Sequence, residues 1–167
     1  MSRCSPAVPL QPLCHTREGD AENMVRKSAL VVLALALAGA AHAAGPDPIE
    51  TRQSGQDLML ADFSGIRAVV AAKGDVKTLE KPAAGLARWM KQFPTQFPPG
   101  SDTGHDTKAL PAVWSDSAGF QKAADNFVET ANKLAELAKA GDADGVAAQV
   151  KVVGDACGTC HKTYRAR

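Results

Sequence analysis

The sequence predicts an all-α protein, an antiparallel four-helix bundle, and three observations lead there. From Pro48 to Tyr164 apolar residues recur at three- and four-residue intervals, alanine is frequent and β-branched runs are scarce. Breakers divide that stretch into four helical segments joined by short, long and short connections, the wiring of an up-down-up-down bundle. No strand signal, internal repeat or low-complexity tract competes with this reading.

The first helix is expected from Pro48 to Lys73, with Gly74 as its stop. Its apolar stripe reads Ile49, Met59, Leu60, Phe63, Ile66 and Val70. A second starts near Asp75 and carries Val76, Leu79, Leu86, Trp89, Met90 and Phe93 before Pro94. Pro82 falls inside that run, where it either sits early enough to be tolerated or kinks the helix. The stretch PTQFPPGSDTGHDTKALPAVW is a long connection, rich in Pro, Gly and Asp. The third helix opens at Ser115 or Asp116, either a sound N-cap, and spaces Phe120, Phe127 and Leu134 by heptads, with Ala124 and Ala131 between them. Gly141 ends it. The fourth begins near Asp142 and runs through Val146, Val150 and Val153 to Tyr164.

Not all of the 167 residues belong to that bundle. Met24 begins a basic tip (Arg26, Lys27), an apolar run SALVVLALALAGAA and the small-residue triplet Ala41-His42-Ala43. That is the layout of a secretory signal peptide over residues 24–43, cut after Ala43, and the apolar run is shorter than the roughly 20 residues a membrane span needs. Residues 1–23 read as an upstream extension in which Cys4, Cys14 and His15 carry no function. The mature chain is then 44–167, exported to the periplasm, with no stable membrane anchor after cleavage. The first 43 residues hold four of the 19 basic and three of the 18 acidic side chains, which leaves fifteen of each sign in the mature chain. A balanced chain offers no basic surface for nucleic acid or anionic lipid.

Two cysteines remain in the mature chain, both in CGTCH: Cys157, Cys160 and His161. This is the C-x-x-C-H form of a covalent haem attachment site. On a helix the two thiols are neighbours at i, i+3, and His161 follows Cys157 by one turn on the same face. Both sulfurs can therefore reach the vinyl groups of one haem c while His161 comes up beneath the iron as its metal ligand. A zinc site would need further thiols or imidazoles, and outside the signal segment only His105, in the polar connection, remains. A thioredoxin-like dithiol expects a βαβ context that is missing from the pattern. The fold class sharpens to a four-helix bundle with a covalently bound haem c in its core.

An exported four-helix pattern with C-x-x-C-H at its C-terminal end resembles the cytochrome c′ family, the class II c-type cytochromes. CGTCHKTYR, TRQSGQDLM and DTKALPAVWSD carry the likeness, which covers essentially the whole mature chain. No Met follows His161, so the arrangement of class I cytochromes, with a ligand Met downstream of the motif, is excluded. The resemblance implies a haem protein without enzymatic chemistry, which binds small diatomic gases (NO, CO) or transfers single electrons with periplasmic redox partners. Peroxidase-like catalysis would want a distal His or Arg pair, and none is evident. Similar proteins frequently form dimers through their first two helices, for which Leu58, Ile66 and Val69 are off-stripe apolar candidates.

The resemblance also assigns residues. The position four after the Arg of the RQ pair faces the open side of the iron, and here it is Gln56. By helical period Gln56 lies within about 20° of Ile49 and Phe63, a primary amide in an otherwise apolar stripe. Relatives place an apolar or aromatic residue there, or a Met that makes the iron six-coordinate. A Gln departs from both. Its NH₂ could donate a hydrogen bond to a bound diatomic, or instead satisfy a neighbouring backbone group or a haem propionate. Met59, at the edge of the same arc, is the alternative distal ligand of a low-spin electron carrier, and otherwise fills the core as Met90 does. Arg52 and Gln53 occupy the RQ pair and, by the resemblance, contact the haem and its propionates; Arg52 is otherwise a surface cation. Thr107 and Lys108 match the polar haem-edge segment, and Arg165 matches an Arg that flanks the proximal imidazole. Trp114 and Tyr164 read as packing.

Overall fold

A computed structural model describes residues 45–167, and within them the chain is helical with no strand. The extension at 1–23 and the signal peptide at 24–43 lie outside the described residues. Among the described residues no helix is long and apolar enough to cross a membrane. Five helices follow in order: α1 Pro48–Ala71, α2 Glu80–Gln92, the single turn α3 Ala112–Ser115, α4 Ser117–Ala140 and α5 Ala143–Tyr164. The four long ones are the helices read from the sequence.

The starts of α1, α4 and α5 are each capped by a carboxylate, which accepts from otherwise orphaned first-turn N–H groups. Asp47 accepts from Ile49 N at 2.7 Å and Glu50 N at 3.1 Å, Asp116 from Gly119 N at 3.1 Å, and Asp142 from Gly145 N at 2.9 Å. Asp75 caps a 3₁₀ turn, Val76–Leu79, ahead of α2. That turn leaves Pro82 in the first turn of α2, where its missing N–H has no partner to lose.

The stop of α1 differs from expectation. The left-handed residue is Lys73 (φ 52°), and Gly74 comes one position later, its N–H bonding Val69 O at 2.9 Å while Lys73 N bonds Val70 O at 3.1 Å. This is a Schellman closure with lysine in the slot that glycine usually fills. Gly141 (φ 75°) fills that slot after α4, as expected.

The core is one cluster in which Met59 and Ile66 of α1 meet Leu86 and Met90 of α2, Phe120, Phe127 and Leu134 of α4, and Val146, Val150 and Val153 of α5. Small residues at Ala124 and Ala131 let the helices approach. Two apolar assignments on α1 are corrected. Leu60 is 65% exposed rather than part of the buried stripe, because α1 turns Arg52, Met59 and Ile66, at heptad spacing, into the core. Ile66 is 1% exposed and unavailable to a partner, while Leu58 is 70% exposed.

The ends of the bundle fix its polarity. Arg52, early on α1, bonds Thr107 of the long connection; Lys108 O accepts from Ala166 N and Leu110 N bonds Tyr164 O, at the close of α5. The start of α1 and the end of α5 thus share one end of the molecule, and the two helices run antiparallel.

A candidate haem c site between the first and last helices

Cys157, His161 and two glycines share one face of α5: Gly154, Cys157, Gly158 and His161 stand at i, i+3, i+4 and i+7. That face is stripped of bulk. A side chain built at Gly158 would meet nothing within 4 Å, and one at Gly154 would meet only Phe63 Cζ of α1, at 3.9 Å. Gln56, Leu60 and Phe63 form the corresponding face of α1, at i, i+4 and i+7.

Phe63 Cζ lies 3.9 Å from where a Cβ on Gly154 would stand, which aligns these two positions across the facing walls. Seven residues lead back from Phe63 to Gln56, and seven lead on from Gly154 to His161, about 10 Å along either axis. Because the helices are antiparallel, ideal helical rise from that alignment brings Gln56 and His161 to about the same level on the two walls. Between them lie an exposed Leu60 and the open space beside Gly158. Two thiols, an imidazole, a bare glycine wall and an uncovered apolar side chain are what a flat, apolar, thioether-linked macrocycle requires. The residues present fit a haem c. Among the described residues no cluster of three or more His, Cys, Asp or Glu offers a metal site of another kind.

The two thiols stay protonated at neutral pH and the imidazole stays neutral. Burial pushes the Cys157 and Cys160 thiols up, Cys160 further because Cys157 is beside it. His161 is exposed at its surface, yet partial desolvation by its neighbours, and then the Arg165 cation, holds it below the ordinary histidine value, so the imidazole keeps a free lone pair at neutral pH. Arg165 is exposed and acts on His161 through its charge.

Arg52 is no surface cation. It is 3% exposed, and its two terminal nitrogens make four hydrogen bonds, to Gln96 O (3.1 Å), Ser101 Oγ (3.0 Å), Ser101 O (2.7 Å) and Thr107 Oγ1 (2.8 Å). Its carbon sits 4.4 Å from the Phe97 ring centroid. These bonds leave the Nε donor outside the network. Gln53 Nε2 bonds His105 O at 2.7 Å, and the His105 ring faces Asp47 Oδ2 at 3.5 Å and Glu50 Oε1 at 3.4 Å. Arg52, Gln53 and Thr107 are thereby gathered in one corner with the start of α1. Lys108 is exposed beside it.

Gln56 is half-buried on the α5 flank. Met59 is buried and lines a groove of about 530 Å³ on the opposite, α2 flank, with Gly55, Leu58, Gly85 and Trp89. Tyr164 packs as expected, and its hydroxyl also donates to Asp116 Oδ2 at 2.8 Å, while Trp114 Nε1 donates to Phe97 O at 3.1 Å.

Sequence reasoning missed Ser101, Gly154 and Gly158. The two glycines were legible, since they precede His161 by seven and three residues. Ser101 was not: a serine in a Pro/Gly-rich connection carries no local sign that an arginine 49 residues away will bury it.

The sequence model of the family described as Cytochrome C' matches residues 47–165. Cytochrome c′ from Rubrivivax gelatinosus is 40% identical over 121 residues, covering 71% of this chain and 94% of the relative. The crystal structure of cytochrome c′ from that organism superposes with a TM-score of 0.65 at 39% identity, over 72% of this chain and 95% of the other. A cytochrome c′ described for its ligand-controlled dimer dissociation matches with a TM-score of 0.67 at 32% identity, over the same shares. The nitric oxide complex of a mutant cytochrome c′ from Alcaligenes xylosoxidans gives 0.65 at 31% identity, again over 72% and 95%.

Proposed function

The chain belongs to the cytochrome c′ family, and from that premise we propose that it is a periplasmic haem c protein with an open distal site for small diatomic gases. A haem c supplies a redox-active iron able to take NO or CO and to pass single electrons. Cys157 and Cys160 would hold the macrocycle as thioethers, and His161 would ligate its iron. Gln56, on the facing helix, would offer its NH₂ as a hydrogen-bond donor to a bound gas. Arg52, Gln53, Thr107 and Lys108 would border the propionate edge, where the Arg52 guanidinium and the Lys108 ammonium would offset its negative charge. Arg165 keeps the proximal side positive. The role is binding and electron transfer rather than catalysis, and export by the segment at 24–43 brings the chain to the compartment of its redox partners.

The register of Gln56 against His161 carries this reading: at the level of the proximal imidazole, the facing wall presents an amide and no thioether. Met59 as the sixth ligand, in a low-spin electron carrier, is the second reading. It is less favoured because Met59 turns into the core and lines the groove beside Trp89. A homodimer through α1 and α2 fits Leu58, exposed beside that groove, and the relative described for its dimer dissociation.

The test is a spectrum of the mature chain purified from cells that assemble c-type cytochromes. A high-spin ferric protein whose reduced form binds CO supports the open site. A low-spin spectrum with a thioether-to-iron charge-transfer band transfers the distal role to Met59. A colourless product removes the haem assignment altogether.

A further inference from the structure

Trp89 has no part in the site as described, yet its indole packs against the residue that precedes Gln56. Gly55 precedes Gln56, and any Cβ at Gly55 would overlap Trp89 Cζ2, Cε2 and Cη2. The ring therefore lies directly on the bare backbone of α1. Its Nε1–H is buried with no hydrogen-bond partner among the described residues. A desolvated, unpaired donor is costly, so the shape of the ring, rather than its polarity, is what this position uses.

The indole is backed by further rings. Trp89 tilts on Phe93 with centroids 6.2 Å apart, Phe93 meets Phe120 at 6.1 Å, and Phe120 meets Tyr164 at 5.1 Å. Phe97 bridges Phe93 and Phe120, each at 5.0 Å, and takes the Arg52 guanidinium on its own ring. One end of this stack bears on α1 at Gly55 and, through Arg52, one turn before Gln56. The other end is Tyr164 of α5, three residues past His161. The stack spans the bundle from the turn that carries Gln56 to the turn that carries His161.

We propose that Trp89 is a positioning residue for Gln56: seated on Gly55 and braced by the Phe93–Phe120–Tyr164 stack, it fixes where the Gln56 amide stands relative to His161. This rests on the reading of Gln56 as the distal residue. A rigid helix moves as a unit, so displacing α1 at residue 55 displaces the amide at residue 56. Shifts of an ångström at a ligand-contacting group are enough to change rates several-fold.

The experiment uses the haem-loaded chain with Gly55→Ala, Trp89→Leu and the two combined. Each is read by CO dissociation from the reduced protein, by the C–O stretching frequency, by the ¹⁵N shifts of the Gln56 side-chain amide, and by the unfolding midpoint. Gly55→Ala is expected to change CO dissociation by about threefold or more and to shift both the stretch and the amide. Adding Trp89→Leu, which clears space for the new methyl, restores all three toward wild type. Trp89→Leu alone broadens the C–O band as the amide loses its fixed seat. In a Gln56→Ala background Gly55→Ala has no further effect on CO. A lowered midpoint with unchanged kinetics, stretch and amide shifts in Gly55→Ala overturns the proposal and reduces Trp89 to packing. If the unsubstituted protein fails to bind CO, the distal-site reading itself fails, and this inference falls with it.

Discussion

Arg52 Nη2 donates to Thr107 Oγ1 at 2.8 Å, and this one bond joins the start of the first helix to the long connection 55 residues later. The same guanidinium reaches Ser101 and Gln96, so one buried cation organises the connection between α2 and α3. Burial holds its pKa below the free arginine value, yet the group stays charged, since arginine remains protonated in proteins.

Removing that cation strands its acceptors. Arg52→Met keeps much of the bulk but leaves Gln96 O, both Ser101 oxygens and Thr107 Oγ1 without their donor. A loss of about 3 kcal/mol or more in urea unfolding is expected. Arg52→Lys, with a single point charge in place of a fork, recovers only part of it. Arg67→Met, at an exposed position of the same helix, changes stability by about 0.5 kcal/mol at most. Equal effects at 52 and 67 would contradict the network.

Lys73 stands in a left-handed conformation that costs a side-chain-bearing residue roughly 1–2 kcal/mol. Lys73→Gly should therefore raise stability by about 1 kcal/mol, measured as a higher urea midpoint with an unchanged slope. Gly74→Ala should be tolerated, because the nearest atom to its new Cβ is a Val69 methyl at 3.2 Å that can give way. The opposite ranking would return the stop signal to Gly74.

The acid limb of stability should carry the signature of Asp47. Its hydrogen bonds from the Glu50 and Ile49 backbone hold this carboxyl below 3.8, with smaller help from His105 and Arg52. A carboxylate depressed on folding stabilises the native state above its unfolded value, and that contribution disappears as pH falls through the folded value. The unfolding midpoint of Asp47→Ala should thus trail wild type above about pH 5, and the gap should close as pH falls below 3.8. A gap that persists undiminished at lower pH would mean that the cap works without its charge.

Gln56→Ala removes the α1 amide proposed to stand opposite His161. If that amide donates to the bound gas, losing a hydrogen bond worth about 1 kcal/mol speeds CO or NO dissociation about fivefold. Gln56→Leu should match it, since the leucine also lacks a donor. Stopped-flow ligand displacement measures both, and rates equal to wild type in the two variants would discard the hydrogen bond.

Periodicity, capping and one short motif made most of this protein legible in advance. Asp116 and Asp142 start their helices because a carboxylate can reach N–H groups three residues on, a local geometry any sequence displays. Cys157, Cys160 and His161 share a face for an equally local reason, the 3.6-residue turn. What the period could not resolve is which part of a broad apolar arc turns inward. Leu60 and Met59 are adjacent and equally apolar, yet one is exposed and the other buried, because the direction of the core is set by where α2 and α4 pack.

Tertiary structure alone decided the remainder. Arg52 could have been a surface charge until the connection folded four acceptors around it. Trp89 became a neighbour of Gln56 only when α2 lay down on the bare backbone at Gly55. Phe63 came opposite Gly154 only when two antiparallel helices packed together, and the proposed pairing of Gln56 with His161 follows from that register. Local spacing determines which residues share a face; which faces meet, and at what height, depends on packing between segments a hundred residues apart, and that is information no single window of sequence contains.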